Sequence, residues 1–498
     1  MVAIRSVAPF LARHWVFSAA FAAGLALRLC TMLGFPPAIW FAGDSITYVS
    51  SALTHSPSPS RQSGYSLLLI ALEPLHSFAV VTGVQHLMGL AMGAGIYAVA
   101  RKRGLPRWGA TLASVPVLLD AYEIQLEHEI LPDTTFAFCV VAAVVLFSWW
   151  RTGDRPLWAT AGAAGLLGLS AACWPVGLPL LIVLVAMLAI TGAGWRAVTA
   201  AVLVGAVPLA MYLAWYDREH DRVAFNTASG DFLWSRTMTF ANCAIIKPPP
   251  DERPLCPDQR AGHRMTASLW LWEKHTPLAR LAARDGGRFS DTTNGRAGNF
   301  AKRAILAQPL GYAGAVLDGF AESFTWGRPL RPTPLMSERY QFSLATHDWD
   351  HRHGLRAQQI VEVQRAYTGG HLAFTRAVRP FSTIMIGYQR VMYLRGTMTG
   401  ILLLIGLAGL ARNWRAGGWR RRRDWGGPAL LPWLAGLAIL LVPEMTADFS
   451  LRYMVPAVPI LSLAAALAFR SRAARPVAGR VPRPRVPVEM TRADVNSM

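Results

Sequence analysis

Apolar stretches of roughly twenty residues, separated by short basic links, recur toward both ends of this chain. That length matches what a helix needs to cross a hydrocarbon layer of about 30 Å. The pattern predicts spans at 15–34, 79–99, 108–124, 134–150, 157–174, 176–193 and 197–215. After a long, more polar interval it predicts three more, at 396–412, 428–443 and 453–470. Only helices and closed barrels satisfy their backbone groups in lipid, so the expectation is an all-α polytopic membrane protein with about ten transmembrane helices. The first apolar run has no small-residue cleavage site after a short core and reads as an uncleaved signal anchor.

Composition supports the same class. Hydrophobic residues make up 53% of the 498 positions, charged residues only 16%, and the mean hydropathy is +0.30. A soluble core cannot absorb so much apolar sequence. The formal net charge of +20 would suit a nucleic-acid binder, but the cations sit in the links. Arg5 and Arg13 precede the first span; Arg101, Lys102, Arg103 and Arg107 follow the second. Arg151 and Arg155 follow the fourth, and Arg412, Arg415 and the run Arg420 to Arg423 follow the eighth. These fall on one side if both termini are cytoplasmic, which is the positive-inside signature of a plasma (inner) membrane protein and leaves no role for nucleic acid.

This orientation divides the chain. Residues 1–215 form an N-terminal transmembrane module, 216–395 a small extracytoplasmic domain of α or mixed structure, 396–470 the C-terminal helices, and 471–498 an Arg- and Pro-rich disordered cytoplasmic tail. Cys243 and Cys256 are the only cysteines outside the spans, and an oxidising exterior favours a disulfide between them over two free thiols. Cys30, Cys139 and Cys173 lie within spans and read as packing residues.

Two acidic stretches flank the spans: FAGDSITYV (41–49) and LLDAYEIQLEHEILPDTTF (118–136). Carboxylates at membrane depth are costly, so they tend to face a polar cavity or do chemistry. Asp44 could act as a general base on a hydroxyl arriving from water, or simply cap a helix starting at Ser45. In the second stretch Glu129 and Asp133 are spaced to share a helical face, with Pro132 suited to the first turn of the fourth span. Asp133 could otherwise serve only the helix dipole. At the mouth of the last span, Arg452 could pair with a phosphate and Tyr453 fits an aromatic belt; a snorkelling helix anchor is the plainer use of Arg452.

Other polar features read as structural. HDWDHRH (347–353) lacks a regular zinc-ligand pattern and reads as solvated surface. Gln85 and His86 in the second span could face the cavity or bond to neighbouring helices. Trp270, Trp272 and Trp326 could stack on sugar rings, with packing as their simpler use.

The order FAGDS, RQSGYSLLL (61–69), EHEILPDTTF (127–136) and RYMVPAVP (452–459) resembles the GT-C superfamily of integral membrane glycosyltransferases. It is most similar to members that use polyprenyl-phosphate sugars: aminoarabinose transferases, protein mannosyltransferases and actinobacterial arabinosyl- and mannosyltransferases. The resemblance covers roughly the first seven spans and the last. It implies a GT-C-like helical bundle and an inverting transfer of a hexosyl or pentosyl group from a polyprenyl-phosphate donor to an extracytoplasmic glycan, lipid or protein. In that scheme Asp44 is the catalytic base; Glu129, Asp133, Arg61, Tyr65, Arg452 and Tyr453 bind substrate. No cofactor is required, although Asp44, Glu129 and Asp133 could supply part of a divalent-metal site, as in the oligosaccharyltransferase branch. Asp44 is followed by Ser45, not by the second acid of the protein mannosyltransferases. The rival classes are a polytopic transporter, for which no inverted repeat is visible, and an envelope glycan ligase or acyltransferase.

Overall fold

The computed structural model describes residues 12–151, 153–260, 263–329, 331, 333–344, 354–372, 374–415 and 427–469. The HDWDHRH stretch, the Arg420 to Arg423 run and the tail after 470 lie outside the described residues. Within them every regular element is helical, and the one extended pairing is a parallel bridge between Ile39 and Glu129.

The apolar pattern maps onto helices. In chain order these are α1 (Trp15–Gly34), α2 (Ala42–Leu53), α3 (Gly64–Leu72), α4 (Phe78–Lys102), α5 (Arg107–Leu119), α6 (Ala121–Glu127), α7 (Asp133–Ser148), α8 (Leu157–Cys173), α9 (Gly177–Ile190) and α10 (Trp195–His220). Later come α11 (Ser229–Thr237), α12 (Ala267–Trp272), α13 (Asp291–Ala307), α14 (Pro309–Glu322), α15 (Gly354–Tyr367), α16 (Phe381–Tyr388), α17 (Gly396–Asn413), α18 (Leu430–Thr446), α19 (Leu451–Met454) and α20 (Ala457–Ala468). Among the described residues α1, α4, α10, α17 and the run Leu451–Ala468 are long and apolar enough to cross a membrane. α7, α8, α9 and α18 are shorter apolar helices, as is Gly64–Leu75, which the spacing did not mark as a span.

The third expected span, 108–124, is shorter than its apolar run. α5 stops at Leu119 because Asp120 turns the chain: its carboxylate accepts the backbone N–H of Glu123 at 3.3 Å and starts α6 as an N-cap. The same side chain accepts the N–H of Leu394 at 2.9 Å, which ties this corner to the segment before α17.

Small residues set how closely the helices approach, as lipid-embedded bundles require. A Cβ added to Gly168 of α8 would lie 2.2 Å from the carbonyl oxygen of Gly205 on α10, so these two helices pack backbone to backbone. α10 turns Leu203 and Met211 outward, an apolar surface suited to lipid, whereas the final run Leu451–Ala468 is the most enclosed of the long helices. That run packs against α4, α5, α7, α17 and α18 and forms the spine of the bundle.

Two parts are distinguishable within 216–395. Residues from Trp234 to Ala304 bury their own apolar cluster around Trp234, Trp270, Leu278 and Phe300. The Cys243 and Cys256 sulfurs are bonded at 2.00 Å on the edge of that cluster. α15 and α16 instead lie on the helical bundle: Tyr367 stacks on Phe78 of α4, and α16 packs along α1.

Candidate active site

The first acidic loop folds into α2, whose first residue is Ala42 and whose N-cap is Phe41. Asp44 falls inside the first turn instead of at the cap, and Ser45 Oγ accepts the Phe41 N–H at 2.8 Å. Asp44 is therefore left for other partners. Arg61 Nη1 meets its Oδ1 at 2.6 Å, and Arg452 Nη2 meets its Oδ2 at 2.8 Å. The carboxylate bridges two guanidinium groups from segments 17 and 408 residues away. Burial alone would push its pKa up, but the two adjacent cations outweigh that and hold the carboxyl below its usual range.

These groups line a cavity of about 130 Å³. Phe41, Asp44 and Arg61 form one part of the lining, Ser450, Arg452 and Tyr453 another, and Phe232, Ser268 and Trp272, all from the 216–395 segment, a third. Arg452 lies over the rings of Phe41, 4.9 Å from its centroid, and Tyr453, 5.2 Å away. Both contacts leave the cation flanked by aromatic surface. Its Nη1 and the Nε of Arg61 have no hydrogen-bond partner although they are shielded from solvent. Two cations share one carboxylate, so this part of the lining keeps an excess of positive charge and free N–H donors.

Glu129 sits beside this site. It is not helical, so the face it was expected to share with Asp133 does not exist: α6 ends at Glu127, and Glu129 lies in the bridge to Ile39. Backbone bonds from Ile39 N–H to the His128 carbonyl (2.9 Å) and from Ile130 N–H to the Ile39 carbonyl (3.1 Å) join the two acidic loops. Glu129 Oε1 accepts from Gln125 Nε2 at 3.0 Å, while Oε2 has no partner. Burial, and then the neighbouring Asp133, push its carboxyl well above the usual range. Asp133 begins α7 directly after Pro132; its Oδ2 is unpartnered, and it lies within electrostatic reach of Arg452 and Asp44.

Tyr65 lies outside that cavity lining. Its ring is fully buried and its hydroxyl donates to Gln85 Oε1 at 2.8 Å, away from the cavity lining. Gln85 in turn donates from Nε2 to the carbonyls of Glu127 (2.9 Å) and Glu129 (2.8 Å), so the amide in α4 holds the second acidic loop at two points. Beneath lies a buried polar group that the sequence reading did not foresee. Arg28 of α1 donates to Glu127 Oε1 at 2.5 Å and to the Leu118 and Val117 carbonyls. His86 Nδ1 contacts Glu127 Oε2 at 2.8 Å, His86 Nε2 contacts His128 Nδ1 at 3.1 Å, and His128 Nε2 donates to the Phe35 carbonyl at 2.9 Å. Gly89 makes room for it: a Cβ there would lie 1.7 Å from Glu127 Oε1. A lone arginine inside an apolar span was the available signal for this cluster.

For a divalent metal the donor set does not fit. Both oxygens of Asp44 are engaged by guanidinium groups, and among the described residues no three His, Cys, Asp or Glu side chains converge as a metal site.

No family model matches the chain, and no curated protein matches it. Among solved structures it is similar to the S. cerevisiae protein O-mannosyltransferase Pmt1-Pmt2 complex bound to the sugar donor, at 13% identity and a TM-score of 0.34, over 51% of this chain and 38% of that one. It is similar to the Archaeoglobus fulgidus oligosaccharyltransferase in its apo form, at 13% identity and a TM-score of 0.38, over 91% of this chain and 50% of that one. A third similarity is to ArnT from Cupriavidus metallidurans bound to undecaprenyl phosphate, at 12% identity and a TM-score of 0.34, covering 91% and 77%. The chain thus spans half or less of the length of the first two.

Proposed function

We propose that this multi-pass membrane protein is an inverting GT-C-type glycosyltransferase that moves a sugar from a polyprenyl-phosphate donor to an extracytoplasmic glycan, lipid or protein. The reading rests on one observation: Asp44 bridges Arg61 and Arg452 on the wall of a cavity, with the three residues drawn from distant segments. A base and a phosphate clamp are what this reaction needs, because a polyprenyl phosphate leaves readily and requires a cation more than a proton.

In the proposed step the acceptor oxygen attacks the anomeric carbon and its proton passes to Asp44. The bond from that carbon to the phosphate oxygen breaks, and the phosphate leaves with the electron pair toward Arg61 and Arg452. The incoming phosphate competes with Asp44 for the same guanidiniums. As it takes their charge, Asp44 loses the partners that hold its basicity down and becomes a stronger base. Glu129 and Asp133, with Tyr453, stand as sugar or acceptor ligands, and Tyr65 supports them through Gln85. No metal step is invoked. The active site lies on the extracytoplasmic face of the plasma membrane with both termini inside. Residues 216–395 are the external region and 1–215 with 396–470 are the membrane module.

The test is transfer of radiolabelled sugar from polyprenyl-phosphate donors by the full chain in lipid nanodiscs, with Asp44→Asn alongside. Transfer by the parent and none by the variant supports the reading. Equal rates remove Asp44 as base.

A further inference from the structure

The cavity that holds Asp44 has an aromatic wall whose geometry singles out one of three tryptophans. Trp270 is fully buried, edge-on to Trp234, and serves the core. Trp326 is 62% exposed and lies under the Arg395 guanidinium, outside the cavity lining. Trp272 is 40% exposed and lines the cavity that also holds Asp44 and Arg452. Its ring is held by Phe289, edge-on at 5.8 Å between centroids, and by Phe232, edge-on at 6.4 Å. A large aromatic surface fixed by packing and left partly open costs little conformational entropy when a ligand meets it.

Polar groups stand beside it. Asp448 lines the same cavity, and each of its oxygens already accepts one backbone N–H: Oδ2 from Ser268 at 2.7 Å and Oδ1 from Phe449 at 2.9 Å. Those bonds fix the carboxylate while leaving further lone pairs able to accept from hydroxyl groups. An aromatic face beside an oriented hydroxyl acceptor matches a sugar ring, whose C–H face carries positive partial charge and whose rim carries O–H donors. A phosphate would be repelled by Asp448 and attracted by Arg61 and Arg452, so the lining carries two chemically distinct sets of groups.

We infer that Trp272 and Asp448 form the seat for the sugar ring of the donor, with Trp272 stacking on its C–H face and Asp448 accepting from its hydroxyls. The inference rests on the proposed transferase reading, since it assigns the group attached to the phosphate that Arg61 and Arg452 bind. It makes Trp272 a specificity-determining residue of a region that the membrane module alone does not supply.

The experiment compares two ligands on the full chain in nanodiscs: undecaprenyl phosphate, and the same lipid carrying one sugar that the parent transfers. Dissociation constants are measured for the parent and for Trp272→Ala, Trp272→Phe and Trp326→Ala. The parent is expected to bind the sugar-bearing lipid about tenfold more tightly than the bare one, an increment of about 1.4 kcal/mol. Trp272→Ala removes that increment and leaves affinity for the bare lipid unchanged; Trp272→Phe restores most of it, and Trp326→Ala changes neither. The inference is overturned if Trp272→Ala keeps the sugar increment, or if it weakens both ligands equally. Failure of the parent to bind either lipid strikes the transferase reading itself.

Discussion

Two arginine–carboxylate clusters in this protein are built from the same residue types in different surroundings. Around Glu127 the chain has turned everything inward: Arg28, His86 and His128 reach both carboxylate oxygens and four backbone carbonyls, and the side chains are almost wholly enclosed. Around Asp44 the same types of residue sit on a cavity wall, partly open, with two N–H groups left without partners. The first cluster leaves one buried N–H, the Nε of Arg28, without a partner; the second leaves two, and its residues line a cavity. Residue type therefore does not tell the two clusters apart; access to a cavity does.

The sharpest way to break this contrast is at Asp44. Asp44→Asn is expected to slow sugar transfer by about 10²–10⁴-fold, the range of a positioned general base, with the folded protein recovered in normal yield. Initial rates in nanodiscs measure it, and a loss of folded protein instead would make Asp44 the structural member of the pair. Glu127→Ala should do the reverse. Removing one partner of an enclosed ion pair costs about 3–5 kcal/mol, so a large fall in thermal unfolding temperature is expected, and Glu127→Gln should lose much less. An unchanged unfolding temperature for Glu127→Ala would erase the distinction drawn here.

Smaller effects sharpen it. Arg452→Lys keeps the charge but loses the planar fork, and donor affinity should drop about tenfold, the equivalent of about 1.4 kcal/mol, while unfolding is little affected. Gln85→Leu strands two carbonyls and the Tyr65 hydroxyl, and about 1–3 kcal/mol of stability should go with them. The smallest effect is on pH dependence. The Asp44 carboxyl is held below its ordinary value of 3.8, so its contribution to stability is complete above that value and is lost as pH falls through the lower folded one. Acid unfolding followed by circular dichroism should start at a higher pH in the parent, relative to its own neutral stability, than in Asp44→Asn.

Much of the fold was legible because lipid imposes a long, uniform apolar run on each helix, and such runs need no knowledge of their neighbours. Each expected span falls on helix, although the third is cut short where Asp120 caps the next helix. Of the site, Asp44 and Arg452 could be named because a charge beside an apolar run is conspicuous, whereas Arg61 was implied only by the resemblance to GT-C transferases. Their mutual contact could not, since it joins positions hundreds of residues apart. The helical pairing expected of Glu129 and Asp133 failed because a backbone bridge to Ile39 replaces helix at Glu129, and nothing local announces such a bridge. Trp272 stood beside Trp270 and Trp326 as a residue able to stack on a sugar ring, and only its place in the cavity lining separates it from them.

The enclosed run Leu451–Ala468 has a consequence for biogenesis. Because the ribosome delivers segments in order, the other long apolar helices, from α1 to α17, are made before the run that packs at the centre of the bundle. Arg452 arrives with that run, so until then Arg61 is the one of the two guanidinium partners of Asp44 that the chain has supplied. The pairing of Asp44 with Arg452 and the closing of the bundle are thus one event.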